Sequence, residues 1–235
     1  FVALLKWVEG DSLDSLYGVL PLVADESGDA SVEALVLRWC KDLCEALSRL
    51  HCAGLVHGDV SPRNIIVDHG EVTLTDYDLV TPNGTKASGC GALMFCSREA
   101  ELRQPLSYSD DVFALAASLF RALTDRDLFL PQGSSFDKSK GVHCLDNEKT
   151  EMPLFTEFVS RATSPIPDQR IASAMAALEW LESKLNPASA NKPTAFAVTV
   201  APATLSANEV PWLKSILQVY PGSAYGNVET RGLDS

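Results

Sequence analysis

The 235-residue sequence is poor in positive charge. Its 19 Lys and Arg residues face 31 Asp and Glu residues, which gives a formal net charge of −12 at pH 7. A surface of this sign repels phosphate backbones, because nucleic-acid binding depends on clustered Lys and Arg side chains. We therefore predict that this segment does not bind nucleic acid directly.

Long apolar runs are also missing. A helix that spans a membrane needs about 18 or more consecutive apolar residues, and the sequence holds no uncharged stretch of that kind. We therefore predict no membrane partner. The chain begins on Phe1, inside the apolar stretch FVALLKWV, rather than on Met. We expect both ends to be cuts through a longer protein, with its other domains as partners.

The six cysteines lack the spacings of a metal or disulfide framework. No pair has the C-x-x-C spacing, and Cys40 and Cys44 lie four apart on a predicted helix. Small buried thiols are common at such positions. Free thiols in a reducing compartment are therefore the favoured interpretation, and we predict a cytoplasmic protein.

Apolar periodicity predicts a mainly helical chain with a small β-hairpin region, an α+β fold. Ser31 is a suitable N-cap for a helix over residues 31–53, which Gly54 would end. Two short β patterns flank a turn at His69 and Gly70. Residues 1–8 are apolar enough for a buried strand. The remaining predicted helices cover residues 109–123, 154–163 and 172–185.

Three polar residues are predicted to converge after the first long helix. Asp59 and Asn64 lie five residues apart in the stretch HGDVSPRN, at residues 57–64. Asp76 follows the predicted hairpin, and a hairpin returns the chain to where it began. Carboxylate and amide oxygens are hard ligands suited to Mg²⁺. A metal, a positioned phosphate and a base are the parts that phosphoryl transfer needs.

These residues resemble the eukaryotic-type protein kinase family, in its bacterial Ser/Thr kinase-like form. HGDVSPRN matches H-R-D-x-x-x-x-N, and DYD at 76–78 matches D-F-G. Three later features agree in order and spacing: Glu99 in SRE for A-P-E, Asp111 at the head of an apolar helix, and Arg170 in DQR. LLKWVEGDSL resembles the hinge strand and its exit.

The resemblance implies a protein kinase-like C-lobe over residues 1–185, with ATP, Mg²⁺ and a protein substrate as ligands. Asp59 would be the catalytic base, and Asn64 and Asp76 would hold Mg²⁺. Leu5 would be the gatekeeper, Val8 would offer hinge backbone groups, and Ile66 and Thr75 would line the nucleotide site.

The resemblance also implies structural roles. His57 would anchor the catalytic loop. Glu99 and Arg170 would form a buried ion pair, and Asp111 would hold the loop through its backbone amides. Residues 186–207, rich in Ala, Pro, Ser and Thr, would be a linker. Residues 208–235 would begin a further helical segment, which resembles the part that follows the kinase domain in large phage-defence proteins of the phage growth limitation type.

The sequence departs from the family pattern at several points. No Gly-rich loop and no V-A-I-K lysine precede the hinge, so we expect the N-lobe to be missing and the fragment alone to be inactive. Gly58 replaces the Arg before the base. Ser61 replaces a Lys that steadies the γ-phosphate, and Arg63 is the predicted catalytic substitute. Asp78 replaces a Gly, and since Asp tolerates left-handed angles better than most residues, it is expected to stiffen the switch of Asp76 between in and out positions rather than to abolish metal binding.

Three functions stay open at this point. The first is an active protein kinase, with Ser/Thr acceptors favoured. The second is a pseudokinase or regulatory docking module, which the unusual Ser61 and Asp78 motivate. The third is a small-molecule kinase, which shares the H-G-D form of the loop. Glu99, Asp111 and Arg170 argue against the third, because the resemblance assigns them to the peptide-docking half of protein kinases.

Overall fold

A computed structural model describes residues 7–86, 89, 91–133, 135–139, 142 and 151–186. The chain divides into two units, Glu9–Pro193 and Phe1–Val8 with Thr194–Ser235, and every helix and strand below belongs to the first. The strands are β1 (Asp11–Ser12), β2 (Leu55–Val56), β3 (Ile65–Asp68), β4 (Glu71–Leu74), β5 (Thr81–Pro82), β6 (Leu130–Gln132) and β7 (Ser135–Asp137). The helices are α1 (Leu20–Ser27), α2 (Val32–Cys52), α3 (Arg98–Glu101), α4 (Tyr108–Thr124), α5 (Pro153–Ala162) and α6 (Ala174–Leu185).

Helix α2 confirms the strongest helical prediction. The Ser31 side chain accepts a hydrogen bond from the Ala34 N–H at 3.1 Å, which satisfies one of the unpaired donors at the helix start. Gly54 follows the last turn with a φ of 78°, a conformation that ends helices. The buried face of α2 packs against α4 and α6.

The core lies among helices α2, α4, α5 and α6. Residues 109–120 of α4 are buried without interruption, as the all-round apolarity of this segment predicts. Helices α5 and α6 confirm the two later helical predictions to within two residues at each end. The largest fully buried side chains are aromatic and include Trp39, Phe113, Phe120, Phe155 and Phe158.

Strands β3 and β4 form the predicted hairpin. Ile65 pairs with Leu74 and Asp68 with Glu71. His69 and Gly70 both have positive φ, 49° and 81°, which matches the twist of a tight two-residue hairpin turn.

Helix α2 is fastened to this hairpin at its turn. The Trp39 indole N–H donates to the Gly70 carbonyl at 2.7 Å. Strand β1 adds a third strand beside β3, a pairing too short to leave a sequence pattern.

The weakly patterned region after α4 contains a hairpin that the sequence did not predict. Strands β6 and β7 are antiparallel, with Leu130 opposite Asp137 and Gln132 opposite Ser135. Each strand has only three residues, so period-two alternation is not visible in the sequence. This hairpin carries the chain from the end of α4 to Lys138.

Three of the described cysteines agree with the prediction of free thiols. Within the described residues, Cys40, Cys44 and Cys52 are unbridged. Burial raises the pKa of the Cys44 thiol well above its ordinary value, so this side chain behaves as a small apolar group. In the part of the chain that the structure describes, no helix is both long and apolar enough to cross a membrane.

The predicted strand over residues 1–8 lies almost entirely outside the described residues. The same holds for the predicted linker, of which only Asn186 is described, and for the segment at 208–235. The last described helix ends at Leu185.

Candidate active site

The loop between β2 and β3 brings Asp59 and Asn64 together. A turn of 3₁₀ helix at Pro62–Asn64 folds the loop back on itself. The Asn64 side-chain amide then donates to the Asp59 carbonyl at 2.8 Å and to the Asp59 carboxylate at 3.0 Å. Because both bonds use the amide nitrogen, the amide oxygen of Asn64 points away from Asp59. One side chain therefore orients the carboxylate and presents a separate oxygen ligand.

The β3–β4 hairpin returns the chain to Asn64. The Thr75 backbone N–H and side-chain hydroxyl donate to the Asn64 carbonyl at 2.8 and 3.1 Å. Asp76 is the next residue along the chain and is exposed. The hairpin therefore returns the backbone next to Asp76 to Asn64, and the shared metal site of the two side chains stays a prediction.

Asp76 itself carries the unusual backbone conformation at this site. Its φ is 61°, a left-handed value that Asp tolerates better than most residues. Its carboxylate accepts a long hydrogen bond of 3.4 Å from the Asp78 N–H. Asp78 itself does not have a positive φ, and the expected stiffening of the Asp76 switch stays a prediction.

The oxygen atoms of Asn64 and Asp76 form a donor set that suits Mg²⁺. Magnesium prefers one or two protein oxygens and takes its remaining ligands from water and phosphate. Among the described residues, no group of three His, Cys, Asp or Glu side chains is arranged to hold a metal. A pair of oxygen ligands beside an open surface therefore fits a metal shared with a phosphate substrate better than a closed structural site.

Asp111 holds the start of the predicted catalytic loop, residues 57–64. Its carboxylate accepts the backbone N–H groups of His57 at 2.8 Å and Gly58 at 2.9 Å. This confirms the predicted role of Asp111. It is 1% exposed, so these charge-assisted bonds lie in a region of low dielectric, where they are strongest.

His51 completes the network around Asp111 and was missed from the sequence. Its Nε2 lies 3.0 Å from the Asp111 carboxylate, and its Nδ1 accepts the Ala174 N–H at 3.2 Å. Because Nδ1 accepts, the ring proton must lie on Nε2 and face Asp111. Its ring stacks on Tyr108, with 4.5 Å between centroids. A buried polar residue on the inner face of α2 was the only signal available.

His57 is packed inside the loop, as its predicted anchoring role requires. It is fully buried, and its Nδ1 accepts the Asp59 N–H at 3.3 Å. Burial lowers the pKa of His57, although the nearby Asp111 and Asp59 carboxylates oppose this. The ring is therefore neutral at physiological pH and supports the loop without adding charge beside Asp59.

Glu99 and Arg170 form the predicted ion pair across 71 residues of chain. Arg170 Nη1 lies 2.7 Å from Glu99 and 3.7 Å from Asp110. Its Nε donates to the Ser164 carbonyl at 2.8 Å, and its guanidinium stacks on Phe113 at 5.0 Å. The Arg170 side chain is only 2% exposed, so these partners replace its water.

Gly58 adopts a conformation that explains why a larger residue is missing there. Its φ is 79°, and a β-carbon at this position would lie 3.0 Å from the Leu79 carbonyl oxygen. Any L-residue would be strained at this angle. The Arg of the family pattern is therefore replaced by the residue that this loop conformation favours.

Gly91 approaches Asp59 more closely than any side chain could. A β-carbon built on Gly91 would lie 1.8 Å from Asp59 Oδ1. The backbone at residue 91 therefore forms one wall of the space around the carboxylate. This contact joins positions 32 residues apart, and no spacing in the sequence indicated it.

Gly91→Ala is expected to lower kcat by about 10- to 100-fold in the full-length protein, because a methyl group there must push the Asp59 carboxylate aside and displacements of about 1 Å are expensive. Gly89→Ala is the matched control. The nearest atom to a β-carbon at Gly89 is Leu79 Cδ2 at 3.9 Å, an ordinary contact. Steady-state phosphotransfer assays compare the two, and equal rates for both variants would contradict the steric argument.

Arg63 does not join the hydrogen-bonded cluster of Asp59 and Asn64. Its Nε lies 3.5 Å from Asp14, and its side chain is 84% exposed. In this conformation Arg63 pairs with Asp14, and its contact with the phosphate stays a prediction. The 3₁₀ turn at residues 62–64 directs residue 63 outward while burying its neighbours Pro62 and Asn64.

The unit that contains the helices and strands includes two of the four residues predicted to bind the nucleotide. Ile66 lies half-buried in β3, opposite Ser12 of β1. Thr75 lies beside Asn64, as described above. Leu5 lies outside the described residues, and Val8 belongs to the other unit of the chain. The roles of all four stay predictions.

Together, a helical core, a loop bearing Asp and Asn, and a hairpin that returns a second Asp define a protein-kinase-like catalytic lobe. The chain belongs to the protein kinase domain family, whose model matches residues 4–199. The ordered landmarks from Asp59 to Arg170 all lie within that match.

Curated relatives agree with this membership. The chain is 32% identical over 90 residues to the serine/threonine-protein kinase Sgk1-A of Xenopus laevis, covering 36% of this chain and 21% of that protein. It is 25% identical over 142 residues to the mitogen-activated protein kinase kinase mkk2 of Aspergillus fumigatus, covering 59% of this chain and 27% of that protein. The matches thus span about a fifth to a quarter of these relatives.

One solved structure shows the same fold. The PK-1 kinase of Cydia pomonella granulovirus aligns with a TM-score of 0.55 and 21% sequence identity, covering 63% of this chain and 59% of that chain. At this identity the likeness concerns the fold alone.

Proposed function

We propose that the protein transfers the γ-phosphate of ATP to a hydroxyl group of a protein substrate. The observation that carries this proposal is Asn64, whose side chain orients the Asp59 carboxylate and whose backbone carbonyl is bonded to Thr75, the residue before Asp76. Family membership supports the reaction class, and the named Ser/Thr kinases among the relatives support Ser or Thr as the acceptor.

Each residue has a chemical task in this reaction. Asp59 accepts the proton of the substrate hydroxyl as its oxygen attacks the γ-phosphorus, and the bond from phosphorus to the bridging oxygen of ADP breaks. Asn64 keeps the carboxylate pointed at that hydroxyl through its bond of 3.0 Å. Mg²⁺ bound by Asn64 and Asp76 would neutralise the negative charge of the phosphates.

Asp111 supports this chemistry without touching the substrate. Its bonds to the His57 and Gly58 amides fix where the loop begins, and Asp59 follows directly. General base catalysis needs a hydrogen-bond distance of about 2.6–3.2 Å to the proton that is removed. A loop tethered at both ends, by Asp111 and by Asn64, is suited to hold such a distance.

The cellular location and the parent protein are also proposals. The unbridged thiols of Cys40, Cys44 and Cys52 support a cytoplasmic location, since reducing compartments keep thiols free. A bacterial phage-defence parent rests on the resemblance of residues 208–235 alone.

A docking module that binds ATP without transferring phosphate is the second candidate. The observation that favours it is the lack of a cation at Asp59, because Ser61 is uncharged and Arg63 pairs with Asp14. Within the described part of the chain, no Lys or Arg forms an ion pair with Asp59. Phosphate transfer would then lack the charge that the family pattern supplies.

The full-length protein decides between the two candidates. With Mg²⁺ and ATP at about 100 times the dissociation constant, we expect stabilisation by about 2.7 kcal/mol and transfer of labelled phosphate to degenerate peptides with one Ser, Thr or Tyr. Asp76→Asn should remove the Mg²⁺-dependent stabilisation, while Asp78→Asn, an exposed neighbour, should keep it. Stabilisation without phosphate transfer would favour the docking module. If the protein shows neither stabilisation nor transfer, both candidate functions are ruled out.

A further inference from the structure

The β6–β7 hairpin leads into a buried ammonium group. Lys138 follows β7 directly, and its side chain is only 2% exposed. Removing a charged amine from water is costly unless partners replace the water. The contacts of Lys138 therefore show where the hairpin is attached.

All three partners of Lys138 lie within residues 93–101. Its Nζ donates to the Leu93 carbonyl at 2.8 Å, to Glu101 Oε2 at 2.9 Å and to Cys96 Sγ at 3.7 Å. An ammonium group has three N–H donors, so these acceptors satisfy it completely. Lys138 thus holds residues that are 37 to 45 positions earlier in the chain.

Glu101 makes a second contact with the β6–β7 hairpin. The Ser135 hydroxyl donates to Glu101 Oε1, while Lys138 contacts Oε2. Burial alone would raise the pKa of Glu101, but the Ser135 and Lys138 contacts lower it below its ordinary value. The carboxylate is therefore ionised at neutral pH and matches the charge of Lys138.

The held segment is the turn at residues 91–96. Within it, the Phe95 and Cys96 N–H groups donate to the Ala92 carbonyl at 2.9 and 3.2 Å. One end of the 91–96 turn is Gly91, against the Asp59 carboxylate. The other end passes into Ser97, whose hydroxyl is bonded to Asp110 of α4. The middle of the turn is held from outside by Lys138.

We propose that Lys138 is a positioning residue that sets the KM for the phosphate-accepting protein by holding the 91–96 turn beside Asp59. This rests on the proposed kinase function. An accepting hydroxyl must lie within hydrogen-bond distance of Asp59. The backbone of Gly91 closes one side of the space around the Asp59 carboxylate. The substrate chain on either side of the hydroxyl must therefore run along the 91–96 turn. Leu93, which is 40% exposed, offers it an apolar contact.

The test uses the full-length protein with Lys138→Met and with the double variant Lys138→Met/Glu101→Gln. The double variant leaves no stranded charge and keeps an acceptor for Ser135, so it separates positioning from loss of folding. We expect both variants to raise the KM for an acceptor peptide about tenfold or more and to leave the KM for ATP within twofold. We also expect backbone hydrogen exchange at residues 92–97 to accelerate at least tenfold.

Lys184→Met is the matched control. Lys184 also lies 2.9 Å from a glutamate, Glu157, but it is 36% exposed and joins α6 to α5. It should change neither KM nor exchange at residues 92–97. A double variant with wild-type peptide KM and wild-type exchange would overturn the proposal while the kinase function stands. If the wild-type protein transfers no phosphate, the proposed function fails, and the exchange measurement alone decides whether Lys138 holds the turn.

Discussion

Asp59→Asn in the full-length protein is expected to lower kcat by about 10²- to 10⁴-fold, the range that a positioned general base contributes. An amide has nearly the shape of the carboxylate but does not accept the proton of the substrate hydroxyl. Mg²⁺-dependent ATP binding should persist, because the proposed ligands are Asn64 and Asp76. Initial rates at saturating ATP and peptide, together with thermal stabilisation by Mg²⁺ and ATP, measure both properties.

The control for this variant is an exposed carboxylate in the same region. Asp68→Asn changes the end of β3, where the side chain is 52% exposed and lies 3.7 Å from His69. It should leave kcat within about twofold of the wild-type value. A kcat for Asp59→Asn within threefold of wild type would rule out Asp59 as the base.

Arg170→Met is expected to lower the free energy of unfolding by about 3–5 kcal/mol. Methionine fills much of the volume, but Glu99 and Asp110 then lose the cation that they share, and breaking a buried ion pair strands its partner. A single domain has about 5–15 kcal/mol of stability in total, so the variant should lose a large part of it. Urea unfolding followed by circular dichroism gives the difference.

Two further variants separate the effect of burial from the effect of charge on the free energy of unfolding. Arg161→Met removes an arginine that lies 3.1 Å from Glu157 but is 54% exposed, and exposed pairs contribute at most about 1 kcal/mol. Arg170→Met/Glu99→Gln removes one stranded carboxylate and should recover part of the loss. Equal destabilisation by Arg161→Met and Arg170→Met would show that the buried position has no special weight.

Local patterns predicted the parts of the fold that short-range physics decides. Helix α2 begins after the side chain of Ser31 and ends at Gly54, and the β3–β4 turn is made by His69 and Gly70, because caps and tight turns depend on neighbouring residues. The Glu99–Arg170 pair spans 71 residues, and it was predicted only through the resemblance to a family.

Contacts made by packing alone were not predictable. Lys138, Gly91 and His51 each meet a partner at least 32 positions away, and no motif marks the encounter. The pairing of Arg63 with Asp14 was not predictable either. The position of Arg63 in the motif predicts a phosphate contact, but the direction of a side chain depends on local backbone angles as well as on spacing.

The network around Asp111 has a consequence for how the protein is made. His51 bonds to Ala174, which is 123 residues later, and Asp111 bonds to amides 53 and 54 residues earlier. Contacts between distant positions form late in folding, because the intervening chain must first be ordered. A ribosome that has released residues 57–64 has therefore not yet made the segment that completes their support. The hydrogen bonds that support the catalytic loop are complete only after the start of helix α6 has been synthesised.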